Sequence, residues 1–289
     1  MNGILLIDKP SGWTSHDVVA KLRGILGERR IGHAGTLDPM ATGLLVIFVG
    51  RATRAVQFAE SQEKEYFAHF RFGIVTDTQD ITGNILQSSD KTITKQELYA
   101  VLPEFTGEIS QIPPMYSAVK LKGKKLYELA RQGLEVEREK RTVTIKKLDL
   151  EAEREGDFLF RIVCSKGTYI RTLCHDIGQR LGVGGALSAL RREKSGSFSV
   201  ADAYTMEQIS EHSQNGSLES CFLSVDSLFS EYKPLTLTEQ QKRKCLCGNS
   251  FETSVPDGTY RAYADDGSFL MLALAKDGVM STIKSFFEV

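Results

Sequence analysis

Long apolar runs, paired cysteines and an excess of either charge are all missing from this sequence, and each absence removes a class of protein. The longest purely apolar stretch, Leu44 to Val49, is far too short to span a bilayer, and the opening MNGILLIDKP has neither a basic flank nor a small-residue cleavage site. No membrane partner is read, and a cytoplasmic protein is expected. Of the five cysteines only Cys245 and Cys247 lie close together, with no second pair and no histidine cluster to complete a tetrahedral zinc site. Reduced thiols and no metal follow as expectations. A formal net charge of -1 carries no global signature of a polyanion partner. Neither GxGxxG nor GxxxxGK[ST] occurs in a strand-to-helix setting, so no nucleotide-phosphate cradle is read.

What is present suits an α+β body. At 289 residues and 41% hydrophobic content the chain can bury a sizeable core. GILLID (3 to 8) and LLVIFV (44 to 49) read as buried strands, and KEYFAHFRFG (64 to 73) alternates as a strand with Tyr66, Ala68, Phe70 and Phe72 on one face. SHDVVAKLRGILG predicts a helix capped by Ser15, and Thr94 with Glu97 forms a capping box for another. TVTIKKLDLEAE and DFLFRIVCSKG predict paired strands, followed by a helix burying Ile170, Leu173, Cys174, Ile177 and Leu181. SEHSQNGSLES (210 to 220) is polar enough for a linker, and the chain beyond about Leu235 predicts a short helix and brief strands broken by DG turns. No tandem repeat is found.

Charge is local rather than global. From Lys120 to Lys147 ten Lys or Arg (120, 122, 124, 125, 131, 138, 140, 141, 146, 147) face four Glu (128, 135, 137, 139), an excess of six. A Pro-Pro start, a glycine and this charge predict a projecting arm with a short helix, although a solvated helix face is the ordinary meaning of such a run. RREK (191 to 194) and KRK (242 to 244) are smaller clusters of the same sign.

The stretch GHAGTLDP sets Asp38 between permissive glycines and a rigid Pro39, which presents a side chain rather than burying one. Taken alone, an Asp before Pro is more commonly a turn or capping residue than a catalyst. The motif holds no second acid for glycosidase chemistry and no metal-ligand cluster, and His33 is a lone histidine. Arg171, in SKGTYIRTLCHDIG, follows a strand and a glycine turn; it is placed either to pair with Asp38 or to serve as a surface arginine. Tyr66 and Tyr169 offer faces on which unpaired bases can stack, or ordinary core rings. Lys9 and Pro10, in IDKPSGWTSHD, read as a rigid corner.

Together IDKPSGWTSHDVV, RRIGHAGTLDPMATGLL, KEYFAHFRFG, IPPMYSAVKLKGKKLYELARQG, SKGTYIRTLCHDIG and LGVGGALSALRREKSG resemble the bacterial tRNA pseudouridine synthases that act on uridine 55 of the TΨC loop, and the resemblance spans essentially the whole chain. It implies a mixed, mainly antiparallel central sheet with flanking helices over 1–232 and a small β-rich PUA-like RNA-binding domain over 233–289, shorter than in the family. It implies Asp38 as the catalytic aspartate, Tyr66 stacking on the target base and Arg171 pairing with Asp38. Tyr169 and Leu190 would line the uracil pocket, His33 would contact RNA around the flipped nucleotide, and Lys9 and Pro10 would support the site from beneath. The arm of about 113–141 resembles the family's mobile thumb. No cofactor is implied. The partner would be tRNA and the enzyme a monomer, and the compact ends, without basic extensions, favour a stand-alone enzyme over the guide-RNA-dependent relative. Ala34 stands where relatives commonly have Thr, a change expected to be tolerated.

Overall fold

The structure, a computed structural model, describes residues 1–121 and 123–287; Lys122, counted above in the arm, lies outside them, as do the last two residues of the 233–289 segment. The chain opens with β1 (Gly3–Lys9), α1 (Ser15–Leu26), β2 (Ile31–Ala34), β3 (Thr42–Val49), α2 (Val56–Ser61) and β4 (Lys64–Phe72). A hairpin of β5 (Ile74–Thr76) and β6 (Ile85–Ser88), then α3 (Lys95–Val101) and β7 (Gly107–Gln111), lead to the arm with β8 (Lys120–Leu121), β9 (Lys124–Lys125) and α4 (Leu126–Ala130). The body closes with β10 (Arg141–Arg154), β11 (Asp157–Cys164), α5 (Ile170–Arg180), β12 (Gly185–Ser195), β13 (Phe198–Ser199) and α6 (Met206–Gln214). The tail carries β14 (Lys233–Thr236), α7 (Glu239–Leu246), β15 (Phe251–Glu252), β16 (Gly258–Tyr263), β17 (Phe269–Lys276) and β18 (Val279–Ser285).

Among the described residues the main sheet runs β1-β3-β12-β4-β11-β10-β7, with β2 and β13 appended. Its one pairing between parallel strands, Arg191 and Arg192 of β12 beside Thr42 and Gly43 of β3, makes it a mixed, mainly antiparallel sheet. That contact is close enough to require glycine: a Cβ on Gly43 would lie 2.3 Å from the Arg192 carbonyl oxygen. Six consecutive residues of β3, Leu44 to Val49, are fully buried, with Leu44, Val46 and Phe48 in one cluster and Leu45, Ile47 and Val49 in another. Burying such side chains contributes about 1.5–3 kcal/mol each, so β3 anchors both faces. A third cluster, from β4, β11, α3, α5 and β12, underlies the cleft where the loop after β2 meets α5.

Several expectations need correction. The cap of α1 is Thr14, in a capping box with Asp17, and the buried Ser15 instead exchanges hydrogen bonds with the backbone of Leu37. Segment 210–220 is no linker: α6 covers its first half, and Ile209, Leu218 and Cys221 are buried against β1 and α1. Leu181 packs only partly against the core. The RREK run lies in β12, where Arg191 pairs with Asp8, Lys194 with Glu65, and Arg192 is 1% exposed. In KRK, Lys242 pairs with Asp265 and Arg243 with Glu239, so neither cluster is a free basic patch.

The arm leaves and re-enters at the sheet edge, since Gln111 ends β7 directly opposite Arg141, the first residue of β10. Lys146 and Lys147 therefore belong to the sheet and pair with Glu63 and Asp149. In the tail a five-stranded sheet ordered β14-β16-β17-β18-β15 wraps its own apolar cluster. It packs on the body through Phe269 and Phe286, which stack at 5.3 Å and meet Phe229.

Candidate active site

Asp38 sits in the loop between β2 and β3, held on both sides. The Ser15 hydroxyl accepts the Leu37 N–H at 2.9 Å. The Pro39 carbonyl accepts from the Gly12 N–H at 2.8 Å and from the Lys9 ammonium at 3.3 Å. Lys9 is fully buried; its ammonium also donates to the carbonyls of Pro10 at 2.8 Å and Trp13 at 2.6 Å, and burial brings its pKa down to about 8. The corner at Lys9 and Pro10 thus ties the chain after β1 to the loop bearing Asp38. Arg192 adds a hold from below, donating to the carbonyls of Leu44 at 2.7 Å and Gly35 at 3.0 Å.

Arg171, in the first turn of α5 and 4% exposed, donates through Nε to Asp38 Oδ2 at 2.8 Å and through Nη2 to Oδ1 at 2.9 Å. Its other donors meet the carbonyls of Tyr116 and Thr78, each at 2.9 Å, and Asp80 Oδ2 lies 3.8 Å from Nη1. The pairing is bidentate and buried on the arginine side, which fixes the carboxylate in direction. Asp38 keeps about a third of its side chain exposed (32%). An oriented, solvent-reachable carboxylate held by a buried cation can act as a nucleophile.

A second acid therefore stands near the first, although the motif around Asp38 contains none. Asp80 is 5% exposed and accepts from the Thr78 and Thr82 hydroxyls. The sequence does not single it out, because only tertiary contact brings Asp80 behind Arg171. Gln111 is missed likewise: 1% exposed at the end of β7, it accepts the Tyr169 N–H at 3.0 Å and donates to the Tyr169 carbonyl at 3.2 Å.

Tyr66 on β4 is 8% exposed and shares the apolar cluster beneath the site with Leu37, Ile170 and Leu190, the last on β12 opposite Ala68. Burial raises the Tyr66 and Tyr169 phenols above their ordinary value, so both stay neutral at physiological pH. Tyr169 immediately precedes α5. His33, on β2, lies edge-on to His16 at 5.7 Å, and its Nδ1 is buried without a hydrogen-bond partner among the described residues. Burial, aided by His16 and Arg192, brings its pKa down to about 4, which leaves the ring neutral. Among the described residues no cluster of His, Cys, Asp or Glu has the arrangement of a metal site.

A mixed sheet of this topology recurs in a solved Cbf5-Nop10-Gar1 complex, at a TM-score of 0.75 and 25% identity over 99% of this chain and 85% of that one. It recurs also in an H/ACA RNP bound to a substrate RNA containing 2'-deoxyuridine, at a TM-score of 0.74 and 23% identity, covering the same shares. These likenesses define the fold that carries the Asp38 loop. The model of the TruB family pseudouridylate synthase N-terminal domain matches residues 23–170, and that of the tRNA pseudouridylate synthase B C-terminal domain matches 171–230. Proteins named tRNA pseudouridine synthase B are similar at 47% identity in Bacillus cereus (89% of this chain, 87% of that protein) and 39% in Clostridium kluyveri (99% and 100%). The chain belongs to the TruB family of pseudouridylate synthases.

Proposed function

We propose that this enzyme converts uridine 55 in the TΨC loop of tRNA to pseudouridine, with Asp38 as its nucleophile. The observation that carries the reading is the bidentate hold of Arg171 on a partly exposed Asp38, in a chain similar over nearly its whole length to proteins named tRNA pseudouridine synthase B. The carboxylate adds either to C1′ of the ribose, expelling uracil, or to C6 of the base. By either route the N1–C1′ bond breaks, the uracil turns, a C5–C1′ bond forms, the carboxylate is released, and the C5 proton passes to solvent while N1 takes one up. No group is consumed and no redox change occurs, so the reading assigns no cofactor.

The target nucleotide must leave its stack, at a cost of a few kcal/mol. Tyr66 takes the base on its ring, Tyr169 and Leu190 line the pocket, and His33 contacts the RNA around the extruded nucleotide. Lys9 and Pro10 hold the Asp38 loop from beneath. The arm of about 113–141 closes on the stem-loop, and the 233–289 unit is a short PUA-like RNA-binding domain. The enzyme acts in the cytoplasm as a monomer and without a guide RNA; among the described residues no helix is long and apolar enough to cross a membrane.

Asp38→Asn tests the reading. The variant keeps its affinity for unmodified tRNA in filter binding and releases no tritium from tRNA carrying 5-tritiated uridine, with no guide RNA or other protein present. Appreciable turnover by the variant, or none by the native enzyme on bare tRNA, would sink the assignment.

A further inference from the structure

Gln79 is held at φ 63, in the left-handed region that strains a residue bearing a Cβ. The other two such residues among those described, Glu155 and Asp277, each precede a glycine in a two-residue hairpin turn that demands this backbone. Gln79 lies instead in the longer loop between β5 and β6, where its N–H donates to the Thr76 carbonyl at 3.3 Å and two further contacts come from outside the loop. Its carbonyl accepts the Leu187 N–H of β12 at 3.0 Å, and its Oε1 accepts the hydroxyl of Thr172 at 2.9 Å. Thr172 is 2% exposed and adjoins Arg171 on α5. The residues on either side of Gln79 are those that meet Arg171 from behind, Thr78 through its carbonyl and Asp80 through its carboxylate.

We propose that Gln79 and Thr172 are positioning residues for this reaction: their hydrogen bond locks segment 78–80 against the back of the Arg171 guanidinium and so fixes the direction in which Arg171 presents Asp38. The inference rests on the reading of Asp38 as nucleophile. Without the lock, Gln79 relaxes from its left-handed backbone and carries the Thr78 carbonyl away. Nη1 of Arg171 is then left short of an acceptor in a buried site, and the guanidinium shifts to recover one. A reacting group displaced by a fraction of an ångström loses rate far more than it loses substrate affinity.

Thr172→Val is nearly isosteric and removes only the donor, whereas Thr172→Ser keeps it. Single-turnover pseudouridine formation is expected to slow about tenfold in the valine variant, with the tRNA Kd unchanged, and to stay within about twofold of native in the serine variant. Gln79→Ala is expected to lose as much as Thr172→Val, and the double variant no more than either. In the RNA-free enzyme the Arg171 Nε–H NMR signal, identified by its absence in Arg171→Lys, shifts or broadens in Thr172→Val. Should that variant fold poorly, Gln79→Gly, which relieves the backbone and lacks Oε1, carries the same expectations. Native rates in Thr172→Val, equal impairment in valine and serine variants, additive losses in the double variant or an unmoved Arg171 signal each overturn the lock. Turnover by Asp38→Asn would instead overturn the reading of the nucleophile.

Discussion

Asp176 lies on α5 just beyond Arg171, partly buried, and no hydrogen bond or ion pair reaches its carboxyl among the described residues. Burial pushes its pKa up to about 6 from an ordinary 3.8, so the folded protein holds this proton more tightly than the unfolded chain does. The group's contribution to stability is complete below pH 3.8, is lost as pH rises toward 6, and above that leaves an ionised carboxylate poorly hydrated. Asp176→Asn is therefore expected to stabilise the protein at pH 7.5 by about 1 kcal/mol, a figure reduced for partial exposure, and to gain less at pH 5. Denaturant midpoints at the two pH values check it; a variant weaker than native at both would show that the carboxylate has a favourable partner. At this scale the sequence makes Asp38 conspicuous through its flanking glycines and proline, and makes a reach from Arg171 one option among others. It is silent on Asp80 and Gln111, because a turn aspartate and a strand-end glutamine acquire their neighbours only when separate elements converge.

At the scale of elements, legibility follows periodicity. β3 is plain because it is apolar throughout, and β4 because it alternates. β12, the strand that joins the two halves of the sheet, shows no alternation in GALSALRREKS, and the reason is physical. Register shifts after Leu187 and after Arg192 each reset the face on which side chains emerge. α6 escapes notice for a different reason: it buries only Met206 and Ile209, so its composition is that of a solvated segment. Ile209 is nonetheless fully buried in the cluster beneath β1. Ile209→Ala is expected to cost about 2–4 kcal/mol in urea unfolding. A change within about 0.5 kcal/mol, the usual size for an exposed site, would return 210–220 to the status of a linker.

At the scale of the whole molecule the question is how a chain of net charge -1 holds a polyanion. The answer lies in where its cations are already paired. On the sheet, Lys146, Lys147, Arg161, Arg191 and Lys194 all have carboxylate partners, which leaves little free field on that surface. In the arm, Lys120, Lys124 and Lys140 are exposed and have no carboxylate partner among the described residues. The arm's root also touches the site, since the Tyr116 carbonyl accepts from Arg171 and the Gln111 side chain grips the Tyr169 backbone. On the function proposed above, a phosphate backbone caught by the arm would be delivered beside Asp38. Each lysine that neutralises a phosphate releases condensed counterion, adding about 0.7–0.9 to the slope of log K against log salt. Replacing Lys120, Lys124 and Lys140 together by Ala is expected to flatten that slope by about 2 for tRNA, measured by filter binding between 50 and 300 mM salt on the order of those limits. The matched triple replacement of Lys146, Lys147 and Lys194 removes the same charge from the chain but no free cation, and its slope should stay at the native value. If the two triple variants lose slope equally, overall charge rather than the arm holds the RNA, and the arm is a solvated excursion of the sheet edge.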